Sequence, residues 1–249
     1  MQKSSKTDTP YSLFISDLHL TPEQPASVEH LIDLTEGTAT DAEALYILGD
    51  LFEAWPGDDF LDDPFANRIV KTLRQLSQRG TRVYLLHGNR DFMLGPTFRA
   101  ATGATMLPDP SRIDLHGTPT LILHGDSLCS DDQAYQQFRR QVRDPAWQQA
   151  VLTRPLAERL AMARQMRAQS ETDKSGKSGE IMDVNADAVA AEFRQSGCRR
   201  MIHGHTHRPG RHDLSIDGQT GQRWVLPDWY DGRGGYLRCD ELGCELLDC

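Results

Sequence analysis

The sequence predicts an α/β protein in which two β-sheets pack face to face and helices cover their outer faces. Short apolar runs alternate with amphipathic stretches, which is typical of βαβ units. Helix-like segments at about 25–36 and 64–79 separate the first three runs and favour parallel strands there. The runs that predict buried strands, each ending in a polar turn, are SLFIS (12–16), ALYILG (44–49), RVYLLHG (82–88), TLILHG (120–125) and RRMIHG (199–204).

Two regions depart from this alternation. In the tail, HDLSID, RWVLP and GYLRCD are β-like runs between Gly or Asp turns, and they predict a second, more antiparallel sheet. Residues 130–180 show no strand pattern and predict helices punctuated by Pro145 and Pro155, inserted between two core strands. We therefore expect one domain over 11–249 with a helical insertion at about 130–180, and a flexible N-terminal extension over 1–10.

Composition excludes several classes of function. The formal net charge of −9 argues against nucleic acid as the main partner. No run of about 18 apolar residues predicts a membrane span, and the polar start MQKSSKTDTP lacks the apolar core of a signal peptide, so we expect a cytosolic protein. The cysteines are odd in number and contain no CxxC pair, which predicts free thiols in a reduced compartment; they are Cys129, Cys198, Cys239, Cys244 and Cys249.

Polar residues gather where five of the predicted strands end, in the motifs D-x-H, G-D, G-N-R-D, H-G-D and H-G-H-T-H. Because ligands bind beyond the carboxyl ends of the strands in open α/β sheets, we expect these residues to converge. The candidate ligands are Asp17, His19, Asp50, Asn89, His124, His205 and His207. Such a set of nitrogen and oxygen donors exceeds the need of one ion, and it predicts two metal ions that share Asp50.

Each motif alone has an ordinary structural explanation. A single D-x-H or H-G-D is usually a turn. Three histidines within five residues, at 203–207, are not expected in an apolar core. His203 either supports the ligands or packs within its strand. The five motifs in this order, each after a strand-like run, indicate a metal centre.

The motifs resemble those of the calcineurin-like metallophosphoesterases. Longer stretches, among them YILGDLFEAWPGDD (46–59), LHGDSLCSDDQAYQQFR (123–139) and IHGHTHRP (202–209), resemble the UDP-2,3-diacylglucosamine diphosphatases of lipid A biosynthesis. The resemblance covers roughly residues 11–237. It implies a four-layer αββα sandwich with a helical cap, and a centre of two Mn²⁺ ions on the ligands named above.

The resemblance also implies an activity. Water would attack the α-phosphorus of UDP-2,3-diacylglucosamine and release UMP and 2,3-diacylglucosamine 1-phosphate. The binding partner is then a UDP-linked diacylated glucosamine lipid. The protein is expected to be a monomer that binds this lipid at the cytoplasmic face of the inner membrane. The substrate-contacting positions that the resemblance implies are Asn89, Arg90, Asp132, Ser170, Lys174, Lys177 and His205.

Arg90 stands where many metal-dependent phosphoesterases carry a histidine that protonates the leaving group. A phosphate leaving group departs without a donated proton, so a pyrophosphatase does not need that acid. The guanidinium fork instead holds phosphate oxygens bidentately and offsets developing charge. Arg90 therefore favours a diphosphate substrate, and we expect it to act in catalysis.

The insertion admits two interpretations. Its apolar residues alternate with arginines, and methionine-rich faces adapt to flexible partners such as acyl chains. A helix that packs its apolar face on the core explains the pattern equally well. The apolar residues are Val151, Leu152, Leu156, Leu160, Met162 and Met166. Two other functions also stay open: a nucleotide or phosphoprotein phosphatase of the same superfamily, and a non-catalytic scaffold.

Overall fold

The computed structural model describes residues 9–175 and 183–249. The strands are β1 (Ser12–Ile15), β2 (Ala44–Ile47), β3 (Arg82–Leu85), β4 (Thr105–Met106), β5 (Ser111–Leu115), β6 (Thr118–Ile122), β7 (Arg200–His203), β8 (Gly210–Ile216), β9 (Gln219–Val225), β10 (Gly235–Asp240) and β11 (Gly243–Asp248). The α-helices are α1 (Pro25–Glu36), α2 (Pro64–Gln78), α3 (Pro96–Thr102), α4 (Gln133–Val142), α5 (Pro145–Leu152), α6 (Leu156–Ser175) and α7 (Ala186–Ser196). The five strands predicted from buried runs are confirmed as β1, β2, β3, β6 and β7, and the two predicted helices as α1 and α2.

Helix α2 illustrates how local sequence defines an element. The side chain of Asp63 caps its N-terminus by accepting hydrogen bonds from the main-chain nitrogens of Phe65 and Ala66. Pro64 occupies the first turn, where its missing N–H costs nothing. The buried side chains then recur at helical spacing, at Ala66, Ile69, Val70, Leu73 and Leu76, and form the face that packs on the core.

The strands form two sheets. The first has the order β11-β10-β1-β2-β3-β4, in which β1 to β4 are parallel and β10 and β11 are antiparallel to their neighbours. The second has the order β5-β6-β7-β9-β8, with parallel pairing of β6, β7 and β9. Both sheets therefore bring to one edge the carboxyl ends of the strands that precede the candidate ligands.

The apolar core lies in three layers. The central layer joins the facing sides of both sheets, where Phe14 and Tyr46 of the first sheet meet Ile122, Ile202 and Trp224 of the second. A second cluster packs the outer face of the first sheet under α1, α2 and α3, and a third packs the second sheet under α7. The predicted four-layer αββα sandwich is confirmed.

The tail differs from the prediction. GYLRCD, which forms β10, pairs antiparallel with β1 in the first sheet and does not belong to the second sheet. The register opposes Ser12 to Cys239 and Phe14 to Leu237. Alternation of apolar residues shows that one face of a strand is buried, but it carries no information about which neighbour the strand pairs with. The second sheet is mixed, because β6, β7 and β9 run parallel.

The expectation of free thiols is wrong for two cysteines. Cys239 and Cys244 are directly opposite each other in the β10–β11 hairpin and form a disulfide. The close approach of side chains on opposed residues of an antiparallel pair allows this bond, although the residues are only five positions apart. Cys129 and Cys198 are buried free thiols, and Cys249 is an exposed one.

Helices α4, α5 and α6 follow β6 and precede α7, at the position of the predicted insertion. Within the described residues, no helix has the length and apolar character needed to cross a membrane. Residues 1–8 and 176–182 lie outside the described part of the chain. The predicted extension therefore lies almost wholly outside it, as does the end of the predicted insertion.

We expect Ile122→Ala to lower the free energy of unfolding by about 2–5 kcal/mol, because it removes buried methyl groups from the layer between the sheets. Urea unfolding followed by circular dichroism measures this change. Leu242→Ala is the control, since Leu242 is 88% exposed and its loss should change stability by less than about 0.5 kcal/mol. A loss below about 1 kcal/mol in Ile122→Ala would contradict close packing of the two sheets.

Candidate metal centre and active site

The candidate ligands lie on the turns that follow β1, β2, β3, β6 and β7, and the structure brings all seven of them together. Five of them adopt left-handed backbone, with φ between 47° and 69°: Asp17, His19, Asp50, His205 and His207. This conformation costs a residue with a Cβ roughly 1–3 kcal/mol and persists only where the surroundings enforce it. Backbone strain therefore concentrates at these turns, which is common at functional sites.

One group of donors surrounds Asp17. His207 Nε2 lies 3.5 Å and His19 Nε2 3.9 Å from Asp17 Oδ1. The other carboxylate oxygen, Oδ2, accepts a hydrogen bond of 2.7 Å from the main-chain nitrogen of His205. Asp17, His19 and His207 thus present one donor atom each to a common point.

A second group of donors surrounds Asn89. Its Oδ1 lies 2.9 Å from both His124 Nε2 and His205 Nδ1. Asp50 stands between the two groups, because its Oδ2 lies 3.8 Å from His19 Nε2 and 3.8 Å from His124 Nε2. Asp17, Asp50 and His124 also present donors to one point, so the two groups are contiguous. Asp50 is therefore the carboxylate that lies next to both groups of donors.

The electrostatics of the cluster favour a positive charge. Burial alone would lower the pKa of His124, but the charges of Asp50 and Asp17 raise it to about 9. Burial likewise opposes protonation of His207, whose contacts with Asp17 and Asp228 raise its pKa to about 10. Burial disfavours the charge on Asp17, yet the neighbouring histidines hold its pKa well below the usual range. His205 differs, because burial and the neighbouring His124 lower its pKa to about 3 and keep it neutral.

The donor set fits metal ions. Among the residues that the structure describes, the buried atoms Asp17 Oδ1 and His19 Nε2 have no hydrogen-bond partner. A buried polar atom without a partner is costly, and a bound cation removes that cost. Carboxylate, amide and imidazole donors without sulfur suit manganese, iron or zinc.

Other polar groups lie against the candidate ligands, and sequence motifs did not reveal most of them. Glu53 Oε2 lies 3.2 Å from His19 Nδ1, and Asp228 Oδ2 lies 3.1 Å from His207 Nδ1. His124 Nδ1 lies 2.8 Å from the carbonyl oxygen of Leu48. Such partners fix the tautomer and direction of a ligating histidine. Neither Glu53 nor Asp228 belongs to a ligand motif, so only the folded chain shows their roles.

Asp91 of the G-N-R-D motif holds two turns together. Its carboxylate accepts hydrogen bonds from the main-chain nitrogens of Gly88 and Leu51, at 2.9 and 2.8 Å. Burial and the neighbouring charge of Asp50 raise its pKa. His203, whose role the sequence left open, is buried, and its Nε2 lies 3.0 Å from Arg223 Nη1. Burial and the charge of Arg223 lower its pKa to about 4.

Two glycines allow the carboxylates to approach the backbone. A Cβ on Gly88 would lie 2.0 Å from Asp50 Oδ1, and a Cβ on Gly204 would lie 2.1 Å from Asp17 Oδ2. Real atoms do not approach this closely, so any side chain at either position would displace a carboxylate. The observed positions of the Asp50 and Asp17 carboxylates therefore require the glycines of G-N-R-D and H-G-H-T-H.

A cavity of about 780 Å³ extends from the donor cluster to the inserted helices. Among the predicted substrate-contacting residues, Asn89, Arg90, Asp132, Ser170 and His205 line it. Lys177 and the side chain of Lys174 lie outside the described residues. Of the six apolar residues named in the insertion, Val151, Met162 and Met166 line the cavity, whereas Leu152, Leu156 and Leu160 do not.

Helix α4 is hydrogen-bonded to Asp126, a buried carboxylate two residues after the candidate ligand His124. Asp126 Oδ2 accepts hydrogen bonds from Tyr135 Oη and Arg139 Nε, both at 2.8 Å, and from Arg143 Nη2 at 3.3 Å. Burial opposes ionisation of Asp126, but His124 and the two arginines hold its pKa well below the usual range. The H-G-D motif thus supplies one metal-ligand candidate and one carboxylate that holds the insertion in place.

This fold and site are those of a metal-dependent phosphoesterase. The family model for calcineurin-like phosphoesterases matches residues 12–209, and the chain belongs to this family. A solved structure of similar fold is a dimetal phosphatase from Danio rerio, with a TM-score of 0.51, 11% sequence identity, and coverage of 96% of this chain and 98% of that chain.

Curated relatives are similar over nearly their whole length. The UDP-2,3-diacylglucosamine hydrolase of Aromatoleum aromaticum is 49% identical over 232 residues, which cover 93% of this chain and 94% of the relative. The proteins of the same name from Pseudomonas paraeruginosa and Chromohalobacter salexigens are 48% and 46% identical, and cover 93% and 92% of this chain and 95% and 93% of their own lengths.

We expect Gly204→Ala to abolish high-affinity metal binding, because the added Cβ would displace the Asp17 carboxylate. Elemental analysis after reconstitution with Mn²⁺ and dialysis measures the retained metal. Gly221→Ala is the matched control, since its Cβ would approach no atom closer than 3.3 Å. Full metal content in Gly204→Ala would contradict a ligand role for Asp17.

Proposed function

We propose that this protein hydrolyses the pyrophosphate bond of UDP-2,3-diacylglucosamine and yields UMP and 2,3-diacylglucosamine 1-phosphate in lipid A biosynthesis. The observation that carries the proposal is the cavity, which joins the cluster of metal-ligand candidates at one end to an apolar helical lining at the other. A substrate with a diphosphate and two acyl chains matches both ends. Relatives that are 46–49% identical over nearly their whole length bear the name of this activity.

The candidate donors would form two sites for Mn²⁺. Asp17, His19 and His207 would hold one ion, and Asn89, His124 and His205 the other, with Asp50 shared between them. Ions held by these residues would supply the activation of water for attack on the α-phosphorus and would offset charge on the phosphoryl oxygens. The left-handed turns and the carboxylates behind the histidines keep these donors in place before substrate binds.

Arg90 would hold the diphosphate. Its main-chain nitrogen donates a hydrogen bond of 2.8 Å to Asp50 Oδ1, and its side chain lines the cavity next to Asn89. Its Nε is buried and has no hydrogen-bond partner in the described part of the chain, so a donor is available for an anion. Arg90 would thus stabilise the departing phosphate without donating a proton.

The remaining predicted contacts lie further along the cavity. Asp132 caps α4, and Ser170 lies on α6, so both would contact the substrate from the insertion. Lys174 and Lys177 follow Ser170 in sequence and complete the proposed set. The acyl chains would lie against the apolar side chains of the cavity wall, which include Phe138, Trp147, Val151, Met162 and Met166.

We further propose that a monomer meets its substrate at the cytoplasmic face of the inner membrane. Two large apolar side chains are exposed near the cavity: Leu152 at 41% and Tyr230 at 60%. Tyr230 itself lines the cavity, and exposed Arg154 follows Leu152 closely in sequence. Exposed apolar residues beside basic ones suit contact with an anionic lipid surface.

The direct test is incubation of the purified protein with Mn²⁺ and UDP-2,3-diacylglucosamine, followed by detection of UMP. We expect release of UMP, near-complete loss of activity in Asp50→Ala, and no change in Cys249→Ser. Asp50→Ala should be the most damaging ligand substitution because its carboxylate serves both sites. Cleavage of p-nitrophenyl phosphate or nucleotides without cleavage of the lipid would instead indicate another phosphatase of the family.

Arg90→Ala should lower kcat by about 10²–10³-fold, the loss expected for one donor to a developing negative charge. Arg90→Lys should recover little activity, because a point charge cannot replace a bidentate fork. Steady-state kinetics on the UDP-lipid measure both effects. If Arg90→His cleaved the UDP-lipid as well as the parent protein, Arg90 would not be needed to hold the departing phosphate.

Met162→Asp should raise KM for the diacylated substrate by at least tenfold, because it places a charge on the apolar wall of the cavity. Ala161→Asp is the matched control: it puts the same charge on an exposed position of α6. KM measured on the UDP-lipid compares the two variants. Equal KM values in both variants would show that the apolar wall does not bind the acyl chains.

A further inference from the structure

Glu53 lies between a candidate metal ligand and the inserted helices. It follows Asp50 by three residues on the loop after β2, and it is 23% exposed. Its Oε2 lies 3.2 Å from His19 Nδ1, and its Oε1 lies 2.7 Å from Arg167 Nη1 on α6. The two oxygens of one carboxylate thus contact the donor cluster and the insertion separately.

The Glu53 carboxylate lies within ion-pair distance of Nδ1 on the His19 ring. A carboxylate next to Nδ1 favours the tautomer with the proton on Nδ1, which leaves the lone pair of Nε2 available. His19 Nε2 points toward the candidate ligands, at 3.9 Å from Asp17 Oδ1 and 3.8 Å from Asp50 Oδ2. Glu53 therefore prepares His19 to bind an ion.

A second contact ties α6 to the same loop. Arg159 is only 4% exposed, and its Nη1 donates hydrogen bonds to the carbonyl oxygen of Pro56 at 2.6 Å and to Asp59 Oδ1 at 2.9 Å. Arg159 and Arg167 lie two turns apart on α6, so the helix is attached to the 53–59 loop at two points. This loop begins directly after the Asp50 turn. Its movement would therefore shift Asp50, which is shared between the two proposed metal sites.

We propose that Glu53 is a positioning residue that couples metal binding at His19 to the position of helix α6. An ion bound by His19 restrains the ring, the ring restrains Glu53, and Glu53 restrains Arg167 and its helix. A loaded metal centre would then restrain α6 more strongly than an empty one. The inference rests on the metal centre proposed above, but not on the identity of the substrate.

Glu53 makes both contacts through a negatively charged carboxylate, and a glutamine in its place carries no charge and only one acceptor oxygen. Glu53→Gln keeps the volume of the side chain and breaks the double contact. Arg167→Ala breaks the helix side of the link and leaves the contact with His19. Asp228→Asn is the matched control, because it removes the carboxylate next to His207 Nδ1 and leaves the Glu53–Arg167 pair intact.

The experiment combines Mn²⁺ affinity from isothermal titration calorimetry with amide hydrogen exchange along α6, each with and without Mn²⁺. We expect Glu53→Gln and Asp228→Asn to weaken Mn²⁺ binding by about 10–100-fold. At saturating Mn²⁺, exchange in α6 should slow in the wild-type protein and in Asp228→Asn. It should stay at the metal-free rate in Glu53→Gln and Arg167→Ala.

Three outcomes would overturn the proposal. If the wild-type protein binds Mn²⁺ but α6 exchanges at the same rate with and without it, the coupling does not exist, although the metal centre does. If Glu53→Gln and Arg167→Ala still slow α6 exchange on Mn²⁺ binding, another contact transmits the effect. A wild-type protein that binds no Mn²⁺ would contradict the proposed metal centre itself, and the coupling with it.

Discussion

The arrangement of the site depends on the position of one buried carboxylate, that of Asp50. Its Oδ2 is equidistant from His19 Nε2 and His124 Nε2, at 3.8 Å, and its Oδ1 accepts the main-chain N–H of Arg90. The absence of a Cβ at Gly88 makes room for it. Because Asp50 follows β2 in the middle of the first sheet, the parallel pairing of β1, β2 and β3 determines where its neighbours stand.

Burying this carboxylate together with Asp17 is unfavourable unless positive charge accompanies them. In the protein alone, histidines supply that charge, which is why the pKa values of His124 and His207 are raised. Metal ions can replace those protons with a larger charge at the same place. The left-handed turns add backbone strain to this electrostatic cost. Backbone strain and buried charge therefore lower the stability of the fold at the proposed reaction site, as is common in enzymes.

Sequence patterns predicted the parts of this arrangement that depend on local order. Each ligand-bearing strand is a short buried run followed by a turn, so the run and its motif appear together in the sequence, as at IHGH (202–205). The partners of the ligands could not be found in this way. Glu53 and Asp228 reach His19 and His207 only through the fold, and a carboxylate outside a motif resembles any surface acid.

Contacts that form only in the folded chain also explain where the structure differs from the sequence predictions. β10 pairs with β1, which lies more than 200 positions earlier, and the alternation of its side chains does not encode that neighbour. The disulfide between Cys239 and Cys244 follows from the hairpin register, which composition does not reveal. In the insertion, the apolar pattern was compatible with core packing or with a binding wall. Only the folded chain separates Met162, on the cavity, from Leu156, outside it.

Asp50 is proposed to join two metal sites. Anomalous X-ray scattering at the manganese absorption edge, from crystals of the protein reconstituted with Mn²⁺, tests this role. We expect two peaks per chain, one beside His19 and one beside His124, with the Asp50 carboxylate between them. A single peak, or two peaks of which neither contacts Asp50, would contradict it.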